Sequence, residues 1–155
     1  MSSGNSIEIK KVGLEYLDQA ADLEKQYMLP PLTFPFSKEE LEPIFNDRMM
    51  WGLVIDNKLI GKVGYIKDKN GGFELDGMVV APDYRGRNWG SKLISQSLKE
   101  VLMLNPSKIY LYVNPKNSPA VVLYLKQGFA VDDWIPNKFN DGENRLKMSL
   151  LKTRI

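Results

Sequence analysis

The alternation of apolar and polar positions along the chain predicts short strands interrupted by amphipathic helices. Side chains repeat every two residues in a strand and about every 3.6 in a helix, so the two patterns differ. The predicted strands are 7–10, 51–55, 59–66, 73–80, 108–113, 129–134 and 144–150. The predicted helices are 15–28, a short helix opened by Ser37 and ending near Phe45, 88–104 and 118–126.

Boundary residues support these elements. Pro30-Pro31 ends the first helix, because proline lacks the backbone donor that a helix needs. Ser37, with Glu40 three residues later, forms a capping-box pattern. Asn70-Gly71-Gly72 predicts a turn between two strands, and Gly128 follows the last helix as a C-terminal glycine.

The predicted order of elements is β α α β β β α β α β β. The passage from strand 73–80 through helix 88–104 to strand 108–113 requires a right-handed crossover between parallel strands, and the other neighbours are antiparallel. We therefore expect an α/β (α+β mixed) fold, with a mixed, mostly antiparallel sheet of six or seven strands and helices on both faces. No linker or repeat divides the 155 residues, which predicts one domain over 1–155.

The composition excludes several kinds of catalyst. The chain has no Cys and no His. This removes disulfides, thiolate ligands, His-ligated zinc, and Ser-His-Asp or Cys-His catalysis. We expect no metal site, and chemistry that uses carboxylates, Tyr, Ser or Thr, Lys or Arg, backbone amides or a cofactor.

Charge and hydropathy restrict the partners of the chain. Lys and Arg total 21 and Asp and Glu total 19, a formal charge of +2. This nearly equal number of basic and acidic residues argues against a nucleic-acid binder, which usually shows a concentrated basic face. No stretch approaches the ~18 to 20 apolar residues of a membrane span. The polar N-terminus, 1–6, has no apolar region behind it, so we expect a cytoplasmic protein that binds neither nucleic acid nor membrane.

Segment 80–91 leaves a strand and opens the long helix, with the sequence Val-Ala-Pro-Asp-Tyr-Arg-Gly-Arg-Asn-Trp-Gly-Ser. Gly86 and Gly90 permit close approach of the backbone, and Arg85 and Arg87 flank Gly86. Free amides at a helix start, together with the helix dipole, favour an anion such as a phosphate or pyrophosphate. Taken alone, the segment is also compatible with glycines that only permit a turn and arginines that are solvated.

Two blocks of sequence carry a resemblance to a known family. The segment Arg85-Gly-Arg-Asn-Trp-Gly90 resembles the Arg/Gln-x-x-Gly-x-Gly/Ala signature of the GCN5-related N-acetyltransferases, the GNAT family. Segment 117–129, Asn-Ser-Pro-Ala-Val-Val-Leu-Tyr-Leu-Lys-Gln-Gly-Phe, is similar to that family's Asn-x-x-Ala-x-x-x-Tyr-x-x-x-Gly-Phe. The blocks lie in the family's order, and the predicted elements fit its fold over nearly the whole chain. Asn88 departs from the usual Gly, but Asn tolerates the left-handed conformation.

The resemblance implies that acetyl-CoA (coenzyme A) is the cofactor. The backbone amides of 87–91 would hold its pyrophosphate, with charge added by Arg85 and Arg87. The backbone of 78–80 would pair with the pantetheine arm and polarise the thioester carbonyl. The implied cofactor-binding residues are Met78, Val79, Val80, Arg85, Gly86, Arg87, Asn88, Trp89, Gly90, Ser91, Asn117, Tyr124 and Lys126.

Three residues are candidates for catalysis. Tyr124 stands where family members often place a Tyr near the thioester sulfur, so its hydroxyl would protonate or stabilise the thiolate; a packed aromatic is the alternative. An alkyl ammonium, with a pKa near ~10.4, must lose a proton before attack. Without His, the base would be Glu74 or Asp76, two apart on one strand face, and Glu74 matches the catalytic Glu of the histone-acetylating branch. Both could equally be solvated, or bind a cationic substrate.

The resemblance places the acceptor between loops 27–36 and 137–143. The first is rich in Pro and aromatic residues, and the second carries acidic ones. An aromatic wall with acid groups suits a cationic amine or a peptide N-terminus, while ordinary packing and a polar hairpin are the alternatives. Segment 140–145 is similar to members that acetylate ribosomal-protein N-termini, but Tyr112 stands where those enzymes tend to carry a Glu.

These observations predict an acetyl-CoA-dependent N-acetyltransferase. It would transfer an acetyl group to a primary amine of a small molecule or peptide by direct attack in a ternary complex. The alternative is a non-catalytic acyl-CoA-binding or sensing module of the same fold. A homodimer is a possible assembly, since dimers are common in that family.

Overall fold

A computed structural model describes residues 6–151. Its strands are β1 (Glu8–Lys11), β2 (Met50–Ile55), β3 (Lys58–Lys67), β4 (Phe73–Val80), β5 (Ile109–Val113), β6 (Phe129–Ile135) and β7 (Arg145–Leu150). Its helices are α1 (Leu17–Tyr27), α2 (Lys38–Asn46), α3 (Trp89–Leu102) and α4 (Ser118–Lys126), with 3-10 turns at Leu14–Tyr16 and Pro82–Tyr84. The expectation for the polar N-terminus falls, except for Ser6, on residues outside the described part.

Every predicted strand and helix is present, in the predicted order. The two longest helices are shorter than predicted. The first predicted helix, 15–28, begins with a 3-10 turn and becomes α-helical only at Leu17. The third ends at Leu102 rather than 104, because the chain turns there and Asn105 adopts a left-handed conformation (φ 55°).

The strands form one sheet of seven, in the order β1-β2-β3-β4-β5-β7-β6. All neighbouring pairs are antiparallel except β4 and β5, which are parallel and joined through α3. The expected mixed, mostly antiparallel sheet is therefore confirmed.

Helices cover both faces of the sheet, as predicted. On β3, Lys62 contacts Glu24 of α1, whereas the hydroxyl of Tyr65 lies 2.7 Å from Ser97 Oγ of α3. Residues three apart on a strand point to opposite faces. Helix α1 therefore lies on one face and α3 on the other, and apolar side chains such as Met50 and Leu93 fill the core between.

The pairing between β4 and β5 is very short. It joins Phe73 with Ile109 and Glu74 with Tyr110, and no register partner follows. The edge of β4 that faces β5 beyond Glu74 therefore lacks a neighbouring strand. Backbone groups inside a protein need hydrogen-bond partners, so this gap suits an extended molecule with polar groups along its length.

A β-bulge lies in the same half of β4. The register with β3 shifts between Lys62 and Gly64, and Gly77 adopts φ +67°. A Cβ at position 77 would lie 2.8 Å from Lys62 Nζ and 2.9 Å from Glu24 Oε2. Position 77 therefore requires glycine for two reasons, the positive φ and the lack of space.

The capping box predicted at the start of α2 is present. The hydroxyl of Ser37 accepts from Glu40 N (3.2 Å), and Ser37 N donates to the Glu40 carboxylate (3.0 Å). Ser37→Ala should lower the free energy of unfolding by about 1 kcal/mol, because the helix loses an acceptor for a free N–H group. Urea denaturation measures the change. The control is Thr33→Ala, because the Thr33 hydroxyl donates to Leu29 O (3.3 Å) outside any helix and caps none. Equal midpoints for Ser37→Ala and the unaltered protein would contradict the expectation.

Candidate active site

Helix α3 begins beside the half of β4 that has no partner in β5, and its first turn presents free N–H groups. Asn88, its N-cap residue, has φ 65° and ψ 14°, and its side chain makes no capping hydrogen bond. The backbone N–H of Lys92 donates to Asn88 O (3.0 Å), so the N–H groups of 89–91 have no acceptor within the helix. Asn88 therefore has the left-handed conformation that is usual for glycine. The free N–H groups leave the helix start suited to an anion.

The glycines of this loop differ in their surroundings. Gly86 has φ +77°, and a Cβ built there would meet no atom within 4 Å. A Cβ at Gly90 would make ordinary contacts with the side chains of Met78 (3.5 Å) and Val80 (3.7 Å). The loop is therefore open at Gly86, while Gly90 allows α3 to approach β4 closely.

Arg85 reaches back to the strand that it follows. Its Nε donates to Val80 O (2.7 Å), and its guanidinium carbon lies 5.9 Å from the centre of the Tyr27 ring. This contact fixes the loop to the end of β4 and leaves the two terminal nitrogens of the guanidinium for other acceptors. Arg87 is exposed on the same loop.

Helix α4 brings the second predicted block to the same place. Asn117 is its N-cap residue and makes no side-chain capping bond, so its amide is available for a ligand. Lys126 is exposed in the last turn. The adjacent Gln127 donates through Nε2 to Ser91 O (3.1 Å) and Ser91 Oγ (2.9 Å). This bond fastens the end of α4 to the start of α3. Gln127 was not predicted, and its place before Gly128 was the available signal.

Tyr124 is buried on α4, with its ring edge-on to Phe129 at 5.9 Å. Within residues 6–151 its hydroxyl has no hydrogen-bond partner. The hydroxyl oxygen keeps some access to solvent, because no fully buried polar side-chain atom in this part of the chain lacks a partner. Burial raises the pKa of Tyr124 above its usual value, and the nearby charge of Asp76 raises it further. The phenol therefore stays protonated at neutral pH and is able to donate.

Asp76 titrates in the neutral range. Burial raises its pKa to about 7, and the charges of Glu74, Glu24 and Glu40 add to the rise while Lys62 opposes it. Because a base works best with a pKa near the working pH, Asp76 has the protonation behaviour of a general base.

Glu74 lies on the same strand face and is half-buried. Burial raises its pKa, as does the charge of Asp68, while Lys138 and Lys147 lower it. Its strand partner across the parallel pair is Tyr110. The structure thus brings the two predicted carboxylates together at the point where β4 and β5 separate.

The two loops predicted to wall the acceptor site meet over the end of β5. The side-chain amide of Asn114, 1% exposed, donates to Glu143 Oε1 (2.9 Å) and to Pro31 O (3.3 Å). It therefore joins loop 27–36 to the β6–β7 loop. Asn114 was not predicted as a site residue, because it follows an alternating strand, where a polar residue is unremarkable.

Arg145 makes a second connection between these loops. Its guanidinium donates to Asp141 (2.8 Å) and lies 5.8 Å from the Phe34 ring and 5.3 Å from the Phe139 ring. Phe139 in turn packs edge-on against Tyr112 at 6.2 Å. The acceptor side of the gap is thus lined by aromatic rings, with the carboxylates of β4 nearby.

Two further findings concern the described residues alone. None of the helices within 6–151 has the length and apolar character to cross a membrane. The same part of the chain contains no cluster of three or more His, Cys, Asp or Glu residues placed to hold a metal ion.

Comparison with known proteins relates the chain to acetyltransferases. The family described as Acetyltransferase (GNAT) family matches residues 17–129. A spermidine N(1)-acetyltransferase from Vibrio cholerae is 30% identical over 115 residues, which cover 66% of this chain and 65% of the relative. A mycothiol acetyltransferase from Corynebacterium aurimucosum is 38% identical over 52 residues, 34% of this chain and 17% of the relative. The chain therefore spans less than two thirds of each of these relatives.

The fold agrees with solved structures. The crystal structure of spermidine N-acetyltransferase from Vibrio cholerae in complex with CoA and spermine superposes with a TM-score of 0.73. The match covers 95% of this chain and 96% of that one at 23% identity. The likeness shows a common arrangement of strands and helices.

Proposed function

Because the chain belongs to the GNAT family of acetyltransferases, we propose that it transfers an acetyl group from acetyl-CoA to a primary amine within a ternary complex. The observation that carries this proposal is the gap between β4 and β5, with the free N–H groups of 89–91 at one end and Asp76 and Tyr124 beside it. When bound, acetyl-CoA would supply an acetyl group already activated as a thioester. We propose residues 1–155 as one catalytic domain.

The residues around the gap fit such a donor. The N–H groups of 87–91 would bind the pyrophosphate, aided by Arg87 and the terminal nitrogens of Arg85. On the side that faces β5, the backbone of 78–80 has no strand partner and would hydrogen-bond the pantetheine arm as a neighbouring strand does. Asn117 has a free amide for the same arm, and exposed Lys126 would face the nucleotide end.

Two side chains would move protons. Asp76, with a pKa of about 7, would take the proton of the acceptor ammonium directly or through water. We assign this role to Asp76 before Glu74, because the charge of Asp76 is the one that acts on Tyr124, the proposed proton donor. Tyr124 would hold its proton at neutral pH, which is the state that a general acid needs.

We propose a small cationic amine as the acceptor. Aromatic rings over carboxylates attract such a cation by cation–π and charge interactions. Asn114 and Arg145 join the two wall loops, which favours a compact or linear amine over a folded peptide. The relative from Vibrio cholerae is a spermidine N(1)-acetyltransferase, so polyamines are the first candidates, and a peptide N-terminus is the second.

The proposal is tested by calorimetric binding of acetyl-CoA and by thiol release across a panel of amines. The panel holds spermidine, spermine, single-amine alkylamines and a peptide with a free N-terminus. We expect acetyl-CoA binding, and turnover that is fastest with a polyamine. Binding without turnover on any amine would instead favour a non-catalytic acyl-CoA-binding module, and no binding would exclude both.

Replacement of Tyr124 tests the general acid. Tyr124→Phe should lower kcat by about 10-fold and leave acetyl-CoA affinity near that of the unaltered protein, because it removes a proton donor without changing the packed ring. Steady-state kinetics and calorimetry measure the two effects. Tyr16→Phe, at a buried tyrosine on another element, is the control. An unchanged kcat in Tyr124→Phe would remove this residue from the reaction.

A further inference from the structure

A charged pair lies in the interior beside the β-bulge. The side chains of Lys62 on β3 and Glu24 on α1 are each 1% exposed and contact each other directly. Taking two charges out of water is costly, and apolar residues of similar size often give equal or greater stability. Stability alone therefore does not explain the pair, and its other contacts indicate what it does.

These contacts tie the pair to both sides of the proposed reaction. Besides Glu24, the ammonium of Lys62 donates to Gly77 O (2.8 Å) in the bulge. The second carboxylate oxygen of Glu24 accepts from the backbone N–H of Phe36. Phe36 ends the loop that forms one wall of the acceptor site, so two buried side chains hold the donor strand and the acceptor loop together.

The bond to Gly77 fixes the direction of the next amide. The carbonyl of Gly77 and the N–H of Met78 belong to one planar trans peptide, so they point in opposite directions. Neither the β3 register nor the β5 register gives Gly77 or Met78 a partner. With Lys62 holding the carbonyl, the N–H of Met78 points away from the pair, at a position that has no register partner in β3 or β5.

We propose that the buried Lys62–Glu24 pair is a positioning device, which orients the Gly77–Met78 peptide so that the Met78 N–H can serve as a fixed donor to the acetyl carbonyl. This inference rests on the proposed function. Donors fixed in advance stabilise developing negative charge without reorganising. The pair also fixes Phe36, so one buried contact sets the donor amide and an acceptor wall relative to each other.

The glycine at position 77 fits this role. Any side chain there would meet the Lys62 ammonium and the Glu24 carboxylate within 3 Å. The bulge, the glycine and the charged pair therefore form one unit, in which altering any member moves the same peptide.

The decisive variant replaces both charges at once. Lys62→Met with Glu24→Met keeps the volume and leaves no unpaired buried charge. It also removes one charge that lowers and one that raises the Asp76 pKa, while Glu74, Glu40 and Tyr124, the other groups facing Asp76, remain. The matched control is Gln19→Leu, because Gln19 also connects α1 to β3, through Leu59 N (2.8 Å), without touching Gly77.

The direct readout is the ¹⁵N-labelled amide of Met78. In the unaltered protein we expect its resonance to differ between the CoA and acetyl-CoA complexes, because only the latter has the acetyl carbonyl. The double variant should lose this difference, keep CoA affinity within about 3-fold, and lose about 100-fold in kcat. Gln19→Leu should retain the difference and the activity.

The outcomes separate the two proposals. A folded double variant with the Met78 difference and kcat of the unaltered protein would overturn the positioning role, as would an unaltered protein whose Met78 amide does not respond. If no amine is turned over, a Met78 response that the double variant loses would overturn the proposed function and still support the positioning role. If the double variant does not fold, Gly77→Ala, which keeps both charges but displaces their contact, should lose the same response, and its retention would count against the pair.

Discussion

Asp76→Asn is expected to lower kcat/KM about 100-fold at neutral pH, because it removes the group proposed to take the acceptor's proton. In the unaltered protein, kcat/KM should rise with pH through about 7, the pKa of Asp76, and level off above it as the carboxylate form becomes complete. The Asn variant should lack this rise. Kinetics across the pH range at subsaturating amine measure both effects, and a parallel rise in Asp76→Asn would assign the base elsewhere.

Glu74→Gln is the matched control on the same strand face. Glu74→Gln should lower kcat/KM far less than Asp76→Asn does. It should also keep the rise of kcat/KM through neutral pH, since Asp76 remains. If Glu74→Gln instead loses the rise while Asp76→Asn keeps it, the roles of the two carboxylates are exchanged.

Asp76→Asn should also change the pH dependence of stability, and here the substitution should be favourable above neutral pH although it lowers activity. The pKa of Asp76 is raised in the folded chain, so the native state holds a proton more tightly than the unfolded state does. The stabilisation from this proton is complete below the unfolded pKa and is lost as the pH rises through about 7. Relative to the unaltered protein, Asp76→Asn should therefore gain stability as the pH is raised from acid to above neutral, and urea denaturation at both ends measures it.

Gly90→Glu is expected to weaken acetyl-CoA binding by about 100-fold or more, since it adds negative charge to the helix start proposed for the pyrophosphate. Its side chain must also pass Met78 and Val80, which line the position of its Cβ. Two companion variants separate charge from bulk. Gly90→Ala adds only a Cβ in ordinary contact and should bind nearly as the unaltered protein does, and Gly90→Gln has the bulk of Glu without its charge.

Calorimetry with acetyl-CoA and thermal unfolding without ligand measure this series. Equal affinities for the Glu and Gln variants would attribute the loss to bulk. Normal affinity in a folded Gly90→Glu protein would place the pyrophosphate elsewhere.

The regular elements were predictable because local patterns determine them. The apolar period of α3, the Ser37 capping box and the alternation in β5 each depend on a few neighbouring residues, and each is present. Asn88 adopts the left-handed conformation that its residue type allows (φ 65°). The candidate site followed from two segments of sequence that the fold brings together.

The missed residues act across long separations in the sequence. Lys62 and Glu24 are 38 residues apart, and nothing in a window around either indicates the other. A lysine within the apolar run Leu59-Ile-Gly-Lys-Val-Gly-Tyr-Ile66 was the available signal, since a charge in a buried strand needs a partner. Asn114 and Arg145 likewise gain their roles only when two distant loops meet.

Two residue pairs hold β4 to β5, so the sheet is a four-stranded half and a three-stranded half with a narrow seam. A ligand that forms hydrogen bonds along that seam would connect the two halves of the sheet. Unfolding would then require its release, and at a free concentration 100 times Kd this linkage adds ~2.7 kcal/mol to stability. The supply of coenzyme would thus affect the stability of the folded chain as well as its rate of turnover.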